Sequence, residues 1–305
     1  MSFLYFLESL RNPVLDALFA FVTHAGEETL FIVAALILFW CRDKRQGYYI
    51  MLVGFVGTTL NQFLKITCRV PRPWVRDPNF TIVESAREAA SGYSFPSGHT
   101  QMSVGLYGAI ARWNKNKLLR AVCLMICVLT PFSRMYLGVH YPSDVLVSLV
   151  LSVPLVLGLY PVMASCTADS KKLGRLLAGM AVLAVLEVAY VSCWPFPGDV
   201  DPVNLESAVK NAWTMLGATL GVCLAWYCDT KRPFDTAAPL PGQILKCLLG
   251  LGLALAIRLA LKPVLNGIFG GHHFADMLRY FAMVAFAGVL WPKTFPWFAR
   301  LGKGK

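Results

Sequence analysis

The chain has 305 residues, of which 56% are hydrophobic and 15% charged, with a mean hydropathy of +0.56. A soluble domain carries roughly a quarter charged residues, so this chain has too little polar surface to coat a water-soluble globule. The net charge of +11 would suit nucleic acid, but the cations sort by membrane loop, and the balance reads as topology with no nucleic-acid partner.

In chain order, Asn12-Pro13 marks a helix start with Pro at the first helical position. Leu15, Leu18, Phe19 and Val22 follow at helical spacing, predicting a helix too short to span and an interfacial segment over residues 1–25. The lack of a basic n-region argues against a cleaved signal peptide. His24 closes this segment with no evident partner nearby. Nine apolar stretches then recur, at about 26–41, 47–66, 98–112, 118–138, 141–163, 173–193, 208–228, 243–264 and 274–292. The first and third are short and need flanking residues or tilt to cross. Since no backbone crosses lipid with its hydrogen bonds unmet, the fold class is all-α, a polytopic membrane bundle of about nine transmembrane helices in one domain, 1–305. The nine cysteines are scattered, without C-x-x-C pairs or zinc spacing, and several, such as Cys123, Cys127 and Cys223, sit inside apolar runs as small buried thiols.

Nine crossings put every basic loop on one side. That side holds Arg42, Lys44 and Arg45; Arg112, Lys115, Lys117 and Arg120; Lys171, Lys172 and Arg175; Lys231, Arg232 and Lys246; and Lys293, Arg300, Lys303 and Lys305. By the positive-inside rule these loops and the C-terminus are cytoplasmic and the N-terminus is outside.

The outer side has few basic loops, yet cations gather at particular positions on it. Lys65 ends the second stretch and Arg72-Pro73 follows; Pro96-Ser97-Gly98-His99 opens the third; Ser133-Arg134, His140 and Asp144 lie between the fourth and fifth. The intervening loop of about thirty residues is long for a tightly connected bundle, which usually signals function. Lys65, Arg72 and Arg134 supply three cations and many N–H donors suited to a phosphate dianion. Ser97-Gly98 sits where a helix begins, so backbone N–H groups and the positive dipole end can face an anion, and Gly98 presents no side chain to block it. Phosphoryl transfer needs a nucleophile and a proton donor for the leaving oxygen. His140 and Asp144, four apart, share one face if the helix has begun there, and Pro142 is compatible with a first helical turn. A carboxylate beneath an imidazole sets its tautomer and stabilises a cationic phospho-histidine. That makes His140 the nucleophile, Asp144 its orienter and His99 the acid, with no metal and no cofactor in the scheme.

Lys65-x6-Arg72-Pro73, Pro96-Ser97-Gly98-His99 and Ser133-Arg134-x5-His140-x3-Asp144 resemble the three signature motifs of the type 2 phosphatidic acid phosphatase superfamily, in identity, order and internal spacing. The resemblance covers residues 65–144 directly and roughly 47–163 through the helical core. It implies a metal-free helical catalytic core, placed within 26–165, with His140 as nucleophile, His99 as acid, and Lys65, Arg72, Ser97, Gly98 and Arg134 holding phosphate. The topology is similar to that of glucose-6-phosphatase and sphingosine-1-phosphate phosphatase, and residues 170–293 form four additional transmembrane helices.

The last four stretches carry Glu187, Arg258, Lys262 and Arg279 within apolar runs, where charges are costly and usually paired or functional. One reading is an ion pair of Glu187 with Arg258 or Arg279. The sharper one is a polar wall in which Glu187, Arg258 and Arg279 contact a lipid headgroup. Arg69 and Arg76 lie outside the motif pattern and read as surface or headgroup contacts. His272-His273 with Asp276 reads as a wet outer loop ahead of a metal cluster.

The expected function is hydrolysis of a lipid phosphate monoester or diphosphate, at the extracytoplasmic face of a cell membrane. Headgroup depth favours a lipid substrate. The alternatives are a phosphotransferase using the same site, a vanadate-dependent haloperoxidase, and, as a different class, a transporter or channel. The last would not account for two histidines, a carboxylate and three cations at one face.

Overall fold

The computed structural model describes residues 1–166 and 171–301; Lys303 and Lys305 of the charge count lie outside the described residues. Among the described residues all regular structure is helical. The helices are α1 (Ser2–Ser9), α2 (Pro13–Thr23), α3 (Glu28–Cys41), α4 (Lys44–Cys68), α5 (Pro73–Arg76), α6 (Gly98–Ser103), α7 (Ala109–Trp113), α8 (Lys117–Tyr136) and α9 (Pro142–Ser165). They continue as α10 (Lys171–Cys193), α11 (Pro202–Lys231), α12 (Leu240–Ile268), α13 (Phe274–Ala285) and α14 (Phe295–Phe298). A π turn, Val104–Gly108, joins α6 to α7, so the third apolar stretch is one helical rod.

Every apolar stretch lies within helix, but not every helix meets the demands of a span. Six rods are long and apolar enough to cross a bilayer: Lys44–Arg76, α8, α9, α10, α12 and Phe274–Phe298. The pair Pro13–Gly26 and Glu28–Cys41, bent by 49°, makes a seventh if it counts as one span. The helix start at Asn12-Pro13 thus opens the first limb of this bent pair. Large apolar side chains stand exposed along the long rods, among them Leu124, Met125 and Val128 on α8 and Val182, Val185 and Leu186 on α10. Surfaces this apolar are stable only against lipid, and the protein is a multi-pass membrane protein.

The chain folds as two compact units. The first comprises Met1–Ile32, Val56–Tyr160 and Phe196–Ser207. Here Asn12 caps α2 by accepting from the Val14 and Leu15 amides, as the Asn-Pro signal predicts. Leu15, Phe19 and Ala20 of α2 pack on Tyr136 and Leu137 at the end of α8. The register is set by Tyr136, whose hydroxyl donates to Asp16 at 2.9 Å and whose carbonyl accepts from Arg11 Nε at 3.1 Å. One face of α2 packs on protein in this way, while Val14, Leu18 and Phe21 on its other side stand exposed. Past Thr23 the chain makes a 3-10 turn, His24–Gly26, against α6.

The second unit comprises Val33–Phe55, Pro161–Pro195 and the chain from Ala208. In lipid, helices associate by close packing more than by the hydrophobic effect, and small residues permit it. Gly217 and Gly221 of α11 lie directly against Met277 and Val284 of α13, with no room for a side chain. Buried Lys246 donates to the carbonyls of Trp40 at 2.9 Å and Thr236 at 3.0 Å, and Lys44 pairs with Asp229 at 2.8 Å. Cys41 and Cys247, far apart in sequence, bring their sulfurs within 3.2 Å.

Candidate active site

The three motif pieces converge within the first unit. Helix α8 ends at Tyr136, and Gly138, with φ of 81°, reverses the chain so that the Val139 amide returns to the Arg134 carbonyl at 3.1 Å. Only glycine adopts that backbone without strain. The reversal carries His140 back beside Arg134. Helix α9 begins at Pro142, so His140 stands before the helix, and the shared-face expectation for His140 and Asp144 does not hold in that form. Asp144 instead folds its carboxylate back over the helix start, where Oδ2 accepts from the Tyr141 amide at 2.9 Å and lies 3.1 Å from His140 Nδ1. The same carboxylate that caps the helix therefore orients the imidazole.

Ser97 caps α6, its hydroxyl accepting from Thr100, and its amide donates to the Asp144 carbonyl at 3.2 Å. Ser148 lies within 2.9 Å of the Ser97 carbonyl and 2.8 Å of the Asp144 carbonyl, tying α6 to α9. The space beside Gly98 is open: a Cβ there would meet nothing within 4 Å.

The loop segment 91–94 is the hub of the site. Arg72 donates from Nη2 to Ser91 O at 2.7 Å, from Nε to Gly92 O at 3.0 Å and from Nη1 to Val139 O at 2.8 Å. Lys65 donates to Tyr93 O at 3.0 Å, and Ser94 donates to Asp144 Oδ2. Residues 196–207 belong to this unit and brace the hub from outside: Arg69 pairs with Asp199 at 2.9 Å, and the Asp201 amide donates to the Tyr93 hydroxyl at 3.2 Å.

These contacts define the imidazole's protonation pattern. Arg72 Nη1 stands 2.9 Å from His140 Nε2. A guanidinium has no acceptor, so Nε2 carries its lone pair and the proton sits on Nδ1, facing Asp144. Burial, followed by the positive charges of Arg72, Arg134 and Lys65, holds the His140 pKa well below its usual value, keeping it neutral. His140, only 2% exposed, is thus a neutral ring with a basic nitrogen aimed at a cluster of cations.

The three cations, alike in the sequence, differ in the structure. Arg72 is engaged on every guanidinium nitrogen and Lys65 by a single bond. Arg134 is completely buried, donates from Nη1 to Thr23 Oγ1 at 2.8 Å, and leaves Nε and Nη2 without a partner among the described residues. His99 Nε2 is likewise buried and without a partner. Orphaned buried donors such as the two on Arg134 are costly unless an acceptor arrives, and a phosphate oxygen is such an acceptor.

Sequence reasoning did not single out Thr23, Gly26, Ser94 or Ser148. Gly26 packs so closely that a Cβ would sit 2.7 Å from the His99 carbonyl oxygen. Polar residues at the open face of an apolar helix were the available signal for Thr23 and Ser148, but nothing in sequence joined them to the motifs. His24, expected to lack a partner, pairs through Nδ1 with Glu27. Glu187, Arg258 and Arg279 belong to the second unit. Glu187 is buried on α10, Arg258 stands 5.4 Å from the Tyr280 ring centroid, and Arg279 pairs with Asp276. Asp276 also lies 3.4 Å from His273 Nδ1, an ion-pair position more than a metal ligand's. Among the described residues no group of three His, Cys, Asp or Glu side chains is placed to hold a metal ion.

The PAP2 superfamily matches residues 44–167, and the transmembrane extension of PAP2 superfamily phosphatases matches residues 213–303. Undecaprenyl-diphosphatase BcrC of Bacillus subtilis is 32% identical over 147 residues, 48% of this chain and 73% of that protein. A probable sphingosine-1-phosphate phosphatase of Dictyostelium discoideum is 29% identical over 246 residues, 74% of this chain and 57% of that protein. Phosphatidylglycerophosphatase B of Bacillus subtilis is 28% identical over 150 residues, 45% of this chain and 70% of that protein. No solved structure matches the chain significantly. With its three motifs drawn into one buried cluster and both the core and the extension matched, the chain belongs to the PAP2 superfamily.

Proposed function

We propose that this protein is a membrane phosphatase that hydrolyses a phosphate monoester or diphosphate of a lipid through a phospho-histidine intermediate on His140. The observation that carries the reading is the pairing of a neutral, Nε2-basic imidazole with buried polar atoms that have no partner among the described residues: the Arg134 donors Nε and Nη2, and the ring nitrogen His99 Nε2. The relatives are named as lipid phosphatases and diphosphatases, which supports a lipid substrate.

Phosphate oxygens settle between Arg134, Lys65 and the open space at Gly98, and draw Arg72 Nη1 off the imidazole lone pair. Nε2 of His140 attacks phosphorus in line, and the bond from phosphorus to the leaving oxygen breaks. His99 gives that oxygen a proton, releasing an alcohol or, from a diphosphate, a monophosphate. Asp144 holds the Nδ1 proton and offsets the positive charge on the phosphorylated ring. His99, now the base, takes a proton from water as its oxygen attacks phosphorus. The P–N bond breaks, and inorganic phosphate leaves with the imidazole neutral again.

The chain is read as crossing the membrane nine times, with the N-terminus and the site extracytoplasmic and the C-terminus cytoplasmic in a cell membrane. Charge sorting supports this topology, and six of the rods, or seven with the bent pair, are long and apolar enough to span. Glu187, Arg258 and Arg279 are retained as candidate headgroup contacts, supported by their burial or aromatic packing at positions where charge is costly.

The test is phosphate release by purified protein in detergent, against phospholipids, polyprenyl diphosphates and soluble phosphate esters, with excess EDTA and beside His140→Ala. Release that resists chelator and disappears in the variant is expected. Undiminished release from His140→Ala would overturn the mechanism.

A further inference from the structure

Arg134 is held by a residue outside every motif and outside the part of the chain matched by the superfamily core, which begins at residue 44. Thr23 is the last residue of α2 and is 5% exposed. Its Oγ1 lies 2.8 Å from Arg134 Nη1, the one hydrogen bond that the guanidinium makes among the described residues. A guanidinium offers a carboxylate or phosphate either its Nη1–Nη2 end or its Nε–Nη2 side, and bidentate recognition uses one edge at a time. With Nη1 held by Thr23, the buried Nε–Nη2 side is the edge left without a partner among the described residues.

The placement of Thr23 follows from packing at some distance from the site. Asp16 and Arg11 grip Tyr136 from the N-terminal segment, and Leu15, Phe19 and Ala20 seat α2 on the same end of α8 that carries Arg134. The register of two helices thus brings Thr23 to Nη1 of Arg134.

We propose that Thr23 is a positioning residue for phosphate binding, orienting Arg134 so that its Nε–Nη2 edge meets the phosphate. The N-terminal helix pair is then part of the phosphate site and not merely a membrane anchor. This inference rests on the phosphate-binding role proposed above for Arg134.

Binding of inorganic phosphate to the full-length protein in detergent, measured by calorimetry, reads the pair without any substrate being known. Thr23→Val keeps the shape and removes the acceptor, and a buried hydrogen bond to a charged group lost in this way predicts phosphate affinity about 10-fold weaker or more. Thr23→Ser keeps the hydroxyl and restores affinity to near the native value. In an Arg134→Ala background, Thr23→Val has no further effect, because the group it orients is gone. Equal losses from Thr23→Val in both backgrounds would overturn the proposal, as would native affinity in Thr23→Val when Arg134→Ala binds weakly. If Thr23→Val does not fold, the Ser variant and Thr23→Ala carry the same cycle. Failure of the phosphatase reading appears separately, as phosphate binding without turnover of any ester.

Discussion

Arg72 Nη1 lies 2.9 Å from His140 Nε2 and 2.8 Å from the carbonyl oxygen of Val139, so one nitrogen touches the proposed nucleophile and the backbone that carries it. The guanidinium is at once a structural staple for the loop at Ser91 and Gly92 and a cap on the lone pair of the proposed nucleophile. Substrate has to compete for that nitrogen, whereas Arg134 presents an edge that nothing occupies.

A lysine in place of Arg72 separates these duties. Its ammonium is a point charge with three donors on a flexible stem and cannot hold three carbonyls and an imidazole in one plane. Arg72→Lys is expected to lower kcat/KM about 100-fold, or about 2.7 kcal/mol, and to lower the melting temperature as the loop carbonyls lose their donors. Phosphate release and thermal unfolding measured on the same preparation check both parts. Near-native kcat/KM would show that charge alone suffices there.

The carboxylate of Asp144 receives the Ser94 hydroxyl, the Tyr141 amide and the His140 Nδ1 proton. Asp144→Asn keeps the shape but removes the charge that stabilises a phosphorylated ring, and lets the amide favour the wrong tautomer. It is expected to cut kcat by about 10²-fold or more with a smaller change in KM, by analogy with other carboxylate-oriented histidines. Ser94→Ala removes one of the donors to Oδ2 and is expected to cost about 10-fold, in kcat again. A larger loss in Ser94→Ala than in Asp144→Asn would show that Ser94 acts by some other route.

The neutral state of His140 has a consequence for stability. Its folded pKa is depressed by burial and by Arg72, Arg134 and Lys65, while an unfolded imidazole titrates near about 6.5. Just below that pH the unfolded chain binds a proton that the folded chain refuses, so this residue contributes stability above about pH 6.5 and loses it progressively as the pH falls toward the folded pKa. His140→Gln is expected to flatten the decline in melting temperature between about pH 6.5 and 5. An unchanged slope would mean that other groups dominate acid unfolding.

Much of this site is legible in sequence because its chemistry is local. Lys65, Arg72, Ser97, His99, Arg134, His140 and Asp144 each lie in a short motif whose spacing sets their relation to a helix end, as with the capping of α6 by Ser97. The apolar stretches were readable for the same reason, since bilayer thickness dictates their length. What was not readable depends on tertiary register. Thr23 reaches Arg134 only because α2 packs on α8, and the 49° bend at Gly26 has no local signature beyond a glycine. Arg279 pairs with Asp276 one helical turn away, a contact that depends on where α13 begins. The division of labour between Arg72 and Arg134 was equally hidden, because it depends on which carbonyls a loop happens to present.

Two glycines beside His99 separate packing from phosphate binding. A Cβ at Gly26 would lie 2.7 Å from the His99 carbonyl oxygen and 2.9 Å from its Cβ, and neither atom can retreat cheaply. Gly26→Ala therefore forces the turn away from α6, at a cost of about 1–3 kcal/mol in stability, and displaces His99 with it. Gly98 is the opposite case, since its Cβ would meet nothing within 4 Å and an alanine fits the ligand-free protein. If the open space there is where phosphate settles, Gly98→Ala keeps the native melting temperature while KM and the inhibition constant for inorganic phosphate both rise. Thermal unfolding and phosphate inhibition of the two variants, measured side by side, check the contrast. Unchanged phosphate inhibition in a stable Gly98→Ala protein would move the phosphate away from this helix start and toward Arg134 alone.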